Sequence, residues 1–192
     1  MDGVTTVAVV ILALVGDAFF GDPPNRFHPV AWMGTIVTTV QRAAPVKGEV
    51  LRFLSGLLLV STGVMAMALV GWWLQRVFRA CPVSVAVVSQ AILLKCTFSV
   101  RSLGRAAKMV ATALRDEDLP AARRCVGFHL VSRDVSKLDA SQLSSATIES
   151  VAENTSDSVV APLFYFAVAG LPGALVYRFV NTCDGVPGVQ NG

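Results

Sequence analysis

The stretch FLSGLLLVSTGVMAMALVGWWLQ, from Phe53 to Gln75, decides the fold of this chain. It holds 23 consecutive uncharged residues between Arg52 and Arg76. About 20 apolar residues are enough for an α-helix to cross the hydrocarbon core of a bilayer. Trp72 and Trp73 stand near one end, where an aromatic belt forms at a membrane interface. The stretch therefore predicts a transmembrane helix.

Three further apolar segments accompany this one. Residues 3–20 are apolar apart from one aspartate, and no basic stretch precedes them as it would in a signal peptide, so they predict a retained span. Residues 80–100 carry a single charge, Lys95. Residues 158–177 are uncharged, but a Gly-Leu-Pro-Gly sequence inside them disfavours one straight helix. This last run either crosses the membrane or turns back as a re-entrant hairpin.

The composition supports a membrane protein. Hydrophobic residues make up 54% of the 192, and charged residues only 15%, against roughly 25% in an ordinary soluble domain. The spans exclude a soluble or all-β protein. We expect an all-α, multi-pass integral membrane protein with about four apolar spans, forming a single domain over residues 1–192 with a polar helical section at 101–157.

The distribution of basic residues predicts an orientation. If the first three spans each cross, loop 21–52 and section 101–157 lie on the same side of the membrane. Together they hold twelve of the sixteen lysines and arginines, whereas Arg76 and Arg79 lie on the opposite side. Because loops rich in lysine and arginine stay in the cytoplasm, both polar sections are predicted to be cytoplasmic, in a protein of the cell membrane.

The most chemically suggestive segment is ESVAENTSDSVVAPL, residues 149–163. Its carboxylates Glu149, Glu153 and Asp157 recur every four residues, so a helix would present them on one face, where like charges repel. A cation or a cationic substrate would offset that repulsion. The alternative is a solvated helix face on which Asp157 caps the following span.

A stiff loop follows the first span. It contains Gly21-Asp-Pro-Pro24 and His28-Pro-Val30, and its prolines can hold Asp22 and His28 in place at the membrane surface. Asp17, one helical turn before the end of the span, is a functional candidate because an ionisable group at that depth is costly. The alternative is that Asp17 only snorkels or pairs with Arg26.

The polar section itself allows two interpretations. Arg101, Arg105 and Lys108 share one face of a predicted amphipathic helix, which is either a solvated or headgroup-facing surface or a lining for an anionic substrate. Asp134 or Ser136 is a candidate cap for the next helix. The four isolated cysteines and two distant histidines argue against a zinc site or a disulfide framework.

Together these residues resemble the CobD/CbiB family of cobalamin-biosynthesis proteins, the adenosylcobinamide-phosphate synthases. The resemblance runs in family order over nearly the whole chain, and the Glu-Ser-Val-Ala-Glu-Asn element is its most specific part. The matching pieces are Gly21-Asp-Pro-Pro24, His28-Pro-Val30, Met33-Gly34, Arg101-Ser-Leu103, Asp118-Leu119, Arg133-Asp134, Ser136, Leu138-Asp139, Glu149-Ser-Val-Ala-Glu-Asn154, Asp157, Ala161-Pro-Leu163, Gly170-Leu-Pro-Gly173 and Asn181-Thr182.

The resemblance implies a membrane enzyme that joins adenosylcobyric acid to an aminoalcohol, typically (R)-1-amino-2-propanol O-phosphate. The product is adenosylcobinamide phosphate, and ATP with Mg²⁺ drives formation of the amide bond. The implied partners are the corrinoid, the aminopropanol phosphate, the lipid bilayer and other corrinoid-pathway membrane enzymes, with no nucleic acid.

On this resemblance we assign expected roles to individual residues. The expected metal ligands are the three carboxylates, and Asn154 would orient a substrate amide or phosphate. The expected proton carrier for the attacking amine is His28. The catalytic group is then Glu149, Glu153, Asn154, Asp157 and His28, and the substrate-binding group is Asp22, Arg101, Arg133, Asp134 and Asn181.

The chain departs from the family pattern at two places. Ser132-Arg-Asp-Val135 stands where the family shows Gly-Arg-Asp-Thr, and Cys183-Asp-Gly-Val-Pro-Gly-Val-Gln-Asn-Gly192 replaces the usual continuation. The family's C-terminal part is therefore expected to be missing, as in a truncation, a frameshifted gene or a fragment. This leaves two alternatives to the enzyme, which are an inactive remnant or corrinoid-binding subunit, and a transporter.

Overall fold

The computed structural model describes residues 2–24, 26, 28–43, 48–131 and 134–185, and these ranges contain helices and no strand. A short π-helical turn, Ser156–Val160, joins the last two helices. In chain order the helices are α1 (Gly3–Phe20), α2 (Pro29–Ala43), α3 (Glu49–Arg79), α4 (Val83–Lys95), α5 (Val100–Arg115), α6 (Leu119–His129), α7 (Ala140–Thr155) and α8 (Ala161–Gly185).

Four helical segments are long and apolar enough to cross a membrane. They are α1, α3, the α4–α5 pair over Val83–Arg115, and the α7–α8 pair over Ala140–Gly185. Large apolar side chains on α3 face outward, with Leu58 65% exposed and Leu69 58% exposed. Apolar exposure along a helix of this length and hydropathy is typical of a membrane span. The prediction of an all-α, multi-pass membrane protein is confirmed.

Three helices, two of which continue apolar segments, pack together in a polar layer. The facing sides of α5, α6 and α7 share a small apolar core that includes Val110, Val126 and Leu143. Asp118 caps α6 by accepting a hydrogen bond from the Ala121 N–H at 2.9 Å. The start of α7 differs from expectation: its N-cap is Asp139, not Asp134 or Ser136.

A capping box explains this start. The carboxylate of Asp139 accepts from the Gln142 N–H at 2.8 Å, and the Gln142 side chain accepts from the Asp139 N–H at 2.9 Å. Two backbone donors of the first turn are satisfied by this exchange. Asp134 instead closes a local turn onto Ser136.

The last apolar run folds as a helical hairpin. Its chain reverses at Gly170, where φ is 69° and ψ is −153°. The rings of Tyr165 and Tyr177 stack with centroids 4.9 Å apart, and Ser158 contacts Arg178 at 3.4 Å. In a straight helix, residues 20 apart in sequence would be separated by about 30 Å. The open choice between crossing and turning back is therefore resolved in favour of turning back.

The hairpin is held by close packing against α3. Its tip at Pro172 lies against Gly71, and the returning limb places Phe179 over Gly63. Gly71 comes eight residues before the end of α3 at Arg79, which is about 12 Å along the helix axis. The tip therefore turns back before reaching that end of α3, and the returning limb carries residues 178–185 towards α7.

This topology predicts which residues are reachable from each side of a membrane. In sealed vesicles, an impermeant thiol reagent should label a cysteine placed at Asp184 from the same side as one placed at Asp116, both exposed positions. Native Cys81, at the far end of α3, should be labelled only from the opposite side. Labelling of the residue-184 cysteine from the side of Cys81 would show that the last run crosses.

Candidate functional site

A single buried lysine joins two carboxylates at one end of the membrane helices. The ammonium of Lys95, at the last residue of α4, lies 3.0 Å from Asp17 Oδ1 and donates to Asp22 Oδ1 at 2.5 Å. The side chains of Lys95 and Asp17 are 10% and 2% exposed. Among the described residues, Asp17 Oδ1 accepts no hydrogen bond. Its contact with Lys95 is therefore an ion pair whose geometry does not make a hydrogen bond.

The second oxygen of Asp17 positions the start of α5. It accepts from the backbone N–H groups of Val100 at 3.1 Å and Arg101 at 2.9 Å. A carboxylate is favoured there because the N-terminus of a helix carries partial positive charge. Asp17 therefore connects α1, α4 and α5, and its burial reflects this structural role.

Arg101 makes structural contacts that the sequence did not predict, and its substrate-binding role stays a prediction. Its guanidinium donates to the main-chain oxygens of Ala18, at 3.1 Å, and Phe19, at 2.5 Å. These are unpaired carbonyls at the end of α1, where a cation is favoured. The structure thus uses Arg101 to cap α1, and its side chain borders the groove between α5 and α6 described below.

A polar cavity of about 250 Å³ lies beside the ionic cluster. The front loop contributes Asp22 and His28 to its wall, and α7 contributes Asn154, so three predicted site residues meet here although they are far apart in sequence. The complete lining is Asp22, His28, Cys96, Phe98, Ser99, Ser102, Leu103, Ala106, Asn154, Ser158 and Arg178.

The π-helical turn and the returning limb of the hairpin build the far wall. Asn154 donates to the main-chain oxygen of Ser150 at 2.8 Å, and its own oxygen faces the Ser158 hydroxyl at 3.5 Å. Arg178 contacts Ser158 Oγ and Asn181 Oδ1, both at 3.4 Å. π-helical turns are frequent at functional sites because they shift the register of the side chains that follow.

Electrostatics set the charge states of the two front-loop residues. Burial raises the pKa of Asp22, but hydrogen bonds from Lys95 and Ser99 outweigh it, so this pKa lies below its ordinary value and the group is a carboxylate. Burial lowers the pKa of His28 below its ordinary value, and the attraction of Asp22 only partly opposes this. His28 is therefore neutral at pH 7.

The hydrogen bonding of His28 also selects its tautomer. Its Nδ1 accepts from the Val30 N–H at 3.3 Å, so the neutral ring carries its hydrogen on Nε2. In this state Nε2 is a hydrogen-bond donor. To act as the proton carrier predicted from the sequence, His28 would first have to break the hydrogen bond that its Nδ1 accepts from the Val30 N–H.

The acidic residues at the end of α7 do not enter the cavity wall. Glu149 and Glu153 are exposed, and Asp157 is partly buried in the π-helical turn. Within the described ranges, no three histidine, cysteine, aspartate or glutamate side chains come close enough to hold a metal ion. The residues present therefore do not fit the three-carboxylate Mg²⁺ site, which stays a prediction from the sequence.

Two other predicted residues also lie apart from the cavity. Asp134 is fully exposed and accepts from the Ser136 N–H and hydroxyl, which hold its pKa below the ordinary value. The predicted substrate-binding residue Arg133 lies outside the described residues.

Sequence reasoning did not place Lys95 or Arg178 in the site. Lys95 was visible as the one charge in its span, and Arg178 as the first charge after the last apolar run. Neither signal identified a partner, because each contact depends on how distant segments pack. Ser99 was missed as well; it both caps α5 and donates to Asp22 at 2.6 Å.

A larger groove of about 730 Å³ runs along the surface where α5 and α6 meet. The cations Arg101, Arg105 and Lys108 stand along its α5 side, as predicted from their spacing, and Asp116 and Asp118 also border it. Its floor is apolar. The arrangement keeps both sequence interpretations open, a headgroup-facing surface or an anion lining.

The lowered pKa of His28 predicts a pH dependence of stability. The ordinary pKa of histidine is about 6.5. Just below this pH, His28 binds a proton in the unfolded chain but stays neutral in the folded protein. The free energy of unfolding should therefore fall as the pH drops from 6.5 through the folded pKa. Thermal unfolding in detergent between pH 7.5 and 5.0 should show a shallower loss for His28→Asn than for the wild type. His129→Gln, at the only other histidine in the chain, is the control, and an unchanged slope for His28→Asn would contradict this account.

The structure thus defines a class of protein, a multi-pass helical membrane protein with a polar cavity built where α1, α4, α5, α7 and the hairpin meet. A sequence model of the CobD/Cbib protein family matches residues 10–192. The chain belongs to the CobD/CbiB family.

Curated relatives agree with this assignment. The chain is 39% identical over 182 residues to the cobalamin biosynthesis protein CobD of Dehalococcoides mccartyi (strain CBDB1), covering 95% of this chain and 59% of the relative. It is 39% identical over 184 residues to the probable cobalamin biosynthesis protein CobD of Thermococcus kodakarensis, covering 94% and 58%. For the cobalamin biosynthesis protein CobD of Halalkalibacterium halodurans the identity is 38% over 191 residues, covering 96% and 57%.

The chain spans somewhat under three fifths of the length of these relatives. No solved structure matches it.

Proposed function

We propose that this chain acts in cobalamin biosynthesis and carries the site at which adenosylcobyric acid and (R)-1-amino-2-propanol O-phosphate, or a related aminoalcohol, are joined. The reaction class is ATP-dependent amide formation, giving adenosylcobinamide phosphate. The observation that carries the proposal is the cavity, which brings together Asp22, His28 and Asn154 from two segments that both bear family motifs. Membership of the CobD/CbiB family supports it.

The chemistry proposed for this site has two steps. ATP transfers its terminal phosphate to the corrinoid propionate, giving an acyl phosphate and ADP. The amine then attacks the acyl carbon, forming the amide and releasing inorganic phosphate and a proton. A cavity that holds carboxylate, phosphate and amine groups out of bulk water suits this sequence, because it places the reacting groups and limits hydrolysis of the acyl phosphate.

The residues of the cavity have distinct parts in this proposal. The amide of Asn154, held by Ser150, would orient a substrate oxygen. The carboxylate of Asp22, held by Lys95 and Ser99, would attract the substrate ammonium before it loses its proton. A neutral His28 would donate from Nε2 to the oxygen that gains negative charge as the amine attacks.

ATP and Mg²⁺ remain proposed requirements of the reaction. Mg²⁺ is usually held by one or two carboxylates together with substrate phosphates and water, and not by an all-protein cage. We therefore expect it to arrive with the nucleotide, and we assign no reaction step to a metal held by Glu149, Glu153 and Asp157.

The proposed location is the cell membrane, with the cavity on the cytoplasmic side. The section 101–157, which contains α5, α6 and α7, holds eight of the sixteen lysines and arginines, which favours the cytoplasmic side. ATP is available there. Proposed partners are the bilayer, the two substrates and other corrinoid-pathway membrane enzymes.

The decisive experiment is a turnover assay by mass spectrometry. Membranes containing this chain would receive adenosylcobyric acid, aminopropanol phosphate and Mg-ATP, and would be scored for adenosylcobinamide phosphate. The full-length Dehalococcoides mccartyi relative is the comparison protein, and an Asn154→Ala variant of this chain is the control for site-dependent product. The proposal is supported if membranes with this chain form more product than empty membranes, and if the Asn154→Ala variant forms at least ~10-fold less product than the unmodified chain.

The contrary outcome is also informative. If the relative forms product and this chain, inserted and folded, forms none, the proposal fails for this chain. Corrinoid binding without turnover would then favour the alternative of a non-catalytic corrinoid-binding subunit.

A further inference from the structure

The cavity contains a cation that Asp22 attracts from a distance but that forms no ion pair within 4.0 Å in the described part of the chain. The ion pairs of the described residues involve Lys95, and none involves Arg178. The guanidinium of Arg178 contacts only two neutral oxygens, on Ser158 and Asn181, each at 3.4 Å. Its Nε is buried and has no hydrogen-bond partner in the described part of the chain.

This arrangement leaves the binding capacity of the guanidinium unused. Charge-assisted hydrogen bonds are usually about 2.7–2.9 Å long, so the contacts of Arg178 are weak ones. A guanidinium presents five N–H donors in a planar fork that matches a carboxylate or a phosphate. Burying part of such a group without a directly paired anion is costly, and a ligand that supplies the anion would recover that cost.

The main side-chain acceptors of the cavity, by contrast, already accept hydrogen bonds, although each carboxylate oxygen of Asp22 keeps a second lone pair. Asp22 accepts from Lys95 at one oxygen and from Ser99 at the other. The side-chain oxygen of Asn154 faces the Ser158 hydroxyl. Nε of Arg178 and Nε2–H of His28 are donors for which no acceptor is found in the described part of the chain, so the cavity offers hydrogen bonds to an anion.

We infer that this cavity binds an oxyanion, either a carboxylate or a phosphate group, and that Arg178 is the residue that binds it. The volume of about 250 Å³ suits a small molecule or one terminal group of a larger one. A corrinoid ring would have to remain outside and insert a single side chain. The inference rests on the proposed function only for the identity of the ligand, since both proposed substrates carry such a group.

Binding without turnover tests this inference independently of the proposed reaction. Inorganic phosphate and propionate would be titrated separately into the detergent-solubilised chain by isothermal titration calorimetry. We expect one or both to bind, which distinguishes a phosphate site from a carboxylate site. Arg178→Met should weaken that binding at least ~10-fold, because it removes charge-assisted hydrogen bonds.

Arg79→Met is the matched control, because Arg79 is exposed at the far end of α3 and the change removes the same charge. It should bind like the wild type. Arg178→Lys keeps the charge without the fork, so it should bind more weakly than the wild type and more tightly than Arg178→Met. The inference is overturned if the wild type binds neither anion, or if Arg178→Met binds as well as Arg79→Met.

A measurement on the wild type alone covers the case in which the Arg178 variants do not fold. Phenylglyoxal modifies accessible arginines, and peptide mass spectrometry reports the rate at each position. Phosphate or propionate at saturating concentration should slow modification of Arg178 and leave Arg79 unchanged. Equal rates at Arg178 with and without both anions would overturn the inference, whether or not the chain shows amide-forming activity.

Discussion

Replacing Lys95 with methionine should destabilise the chain by about 3–5 kcal/mol, the usual cost of removing one partner from a buried ion pair. The ammonium of Lys95 contacts both Asp17 and Asp22. Without it, two carboxylates share one pocket, and the Asp17 side chain is only 2% exposed. Because folded domains are stable by roughly 5–15 kcal/mol, a loss of this size removes a large part of the total.

The measurement is thermal unfolding in detergent, followed by tryptophan fluorescence and size-exclusion chromatography. Lys108→Met is the matched control, since Lys108 is exposed on α5 and the same change there should alter stability by no more than about 0.5 kcal/mol. The double variant Lys95→Met with Asp17→Asn should regain part of the loss, because one of the uncompensated charges is gone. If Lys95→Met unfolds at the same temperature as Lys108→Met, the ionic cluster has no structural role.

The membrane helices could be predicted from the sequence for a simple physical reason. Lipid is apolar along the whole length of a span, so the residues of that span must be uncharged along its whole length, as they are from Phe53 to Gln75. The capping of α6 by Asp118 was also predictable, since a cap depends on residues within one turn. These features depend on local sequence alone.

The candidate site was only partly predictable. Asp22, His28 and Asn154 were identified because prolines and a specific motif marked their segments. The partner of Asp22 lies 73 residues away at Lys95, and no local pattern encodes such a pairing. Arg178 reaches the cavity only because the chain reverses at Gly170, a step that the sequence left open.

The acidic residues show how a correct local inference can give an incomplete picture of a site. A spacing of four does place Glu149 and Glu153 on the same face of α7. Which face of a helix points to a cavity is decided by packing, and here the inner face carries Leu143, Ala146 and Ser150. Ser150 donates to the Leu130 main-chain oxygen at 2.6 Å, which helps to fix that orientation.

The second large effect is expected at the tip of the hairpin, where α3 must lack a side chain. A Cβ atom added at Gly71 would lie 2.6 Å from Pro172 Cα and 2.8 Å from its nitrogen. Both atoms belong to the backbone, so no side-chain rotation can relieve the contact. We expect Gly71→Ala to destabilise the chain by about 1–3 kcal/mol, the usual cost of overpacking.

The same helix supplies a matched control. A Cβ at Gly56 would meet nothing within 4 Å, so Gly56→Ala should be neutral or stabilise α3 by up to about 1 kcal/mol through helix propensity. Thermal unfolding of the two variants in detergent compares the same chemical change at two positions of one helix. Equal unfolding temperatures would mean that the hairpin does not pack against Gly71.

The Gly71 variant also links the hairpin to the cavity. If the tip is pushed away from α3, the returning limb that carries Arg178 should move with it, and the weak 3.4 Å contact with Ser158 should be lost. Anion binding by folded Gly71→Ala protein should then be weaker than in Gly56→Ala, although neither residue lines the cavity. Unchanged anion binding in a destabilised Gly71→Ala protein would show that the tip and the cavity are energetically independent. The packing of Phe179 against Gly63 would then set the position of Arg178 instead.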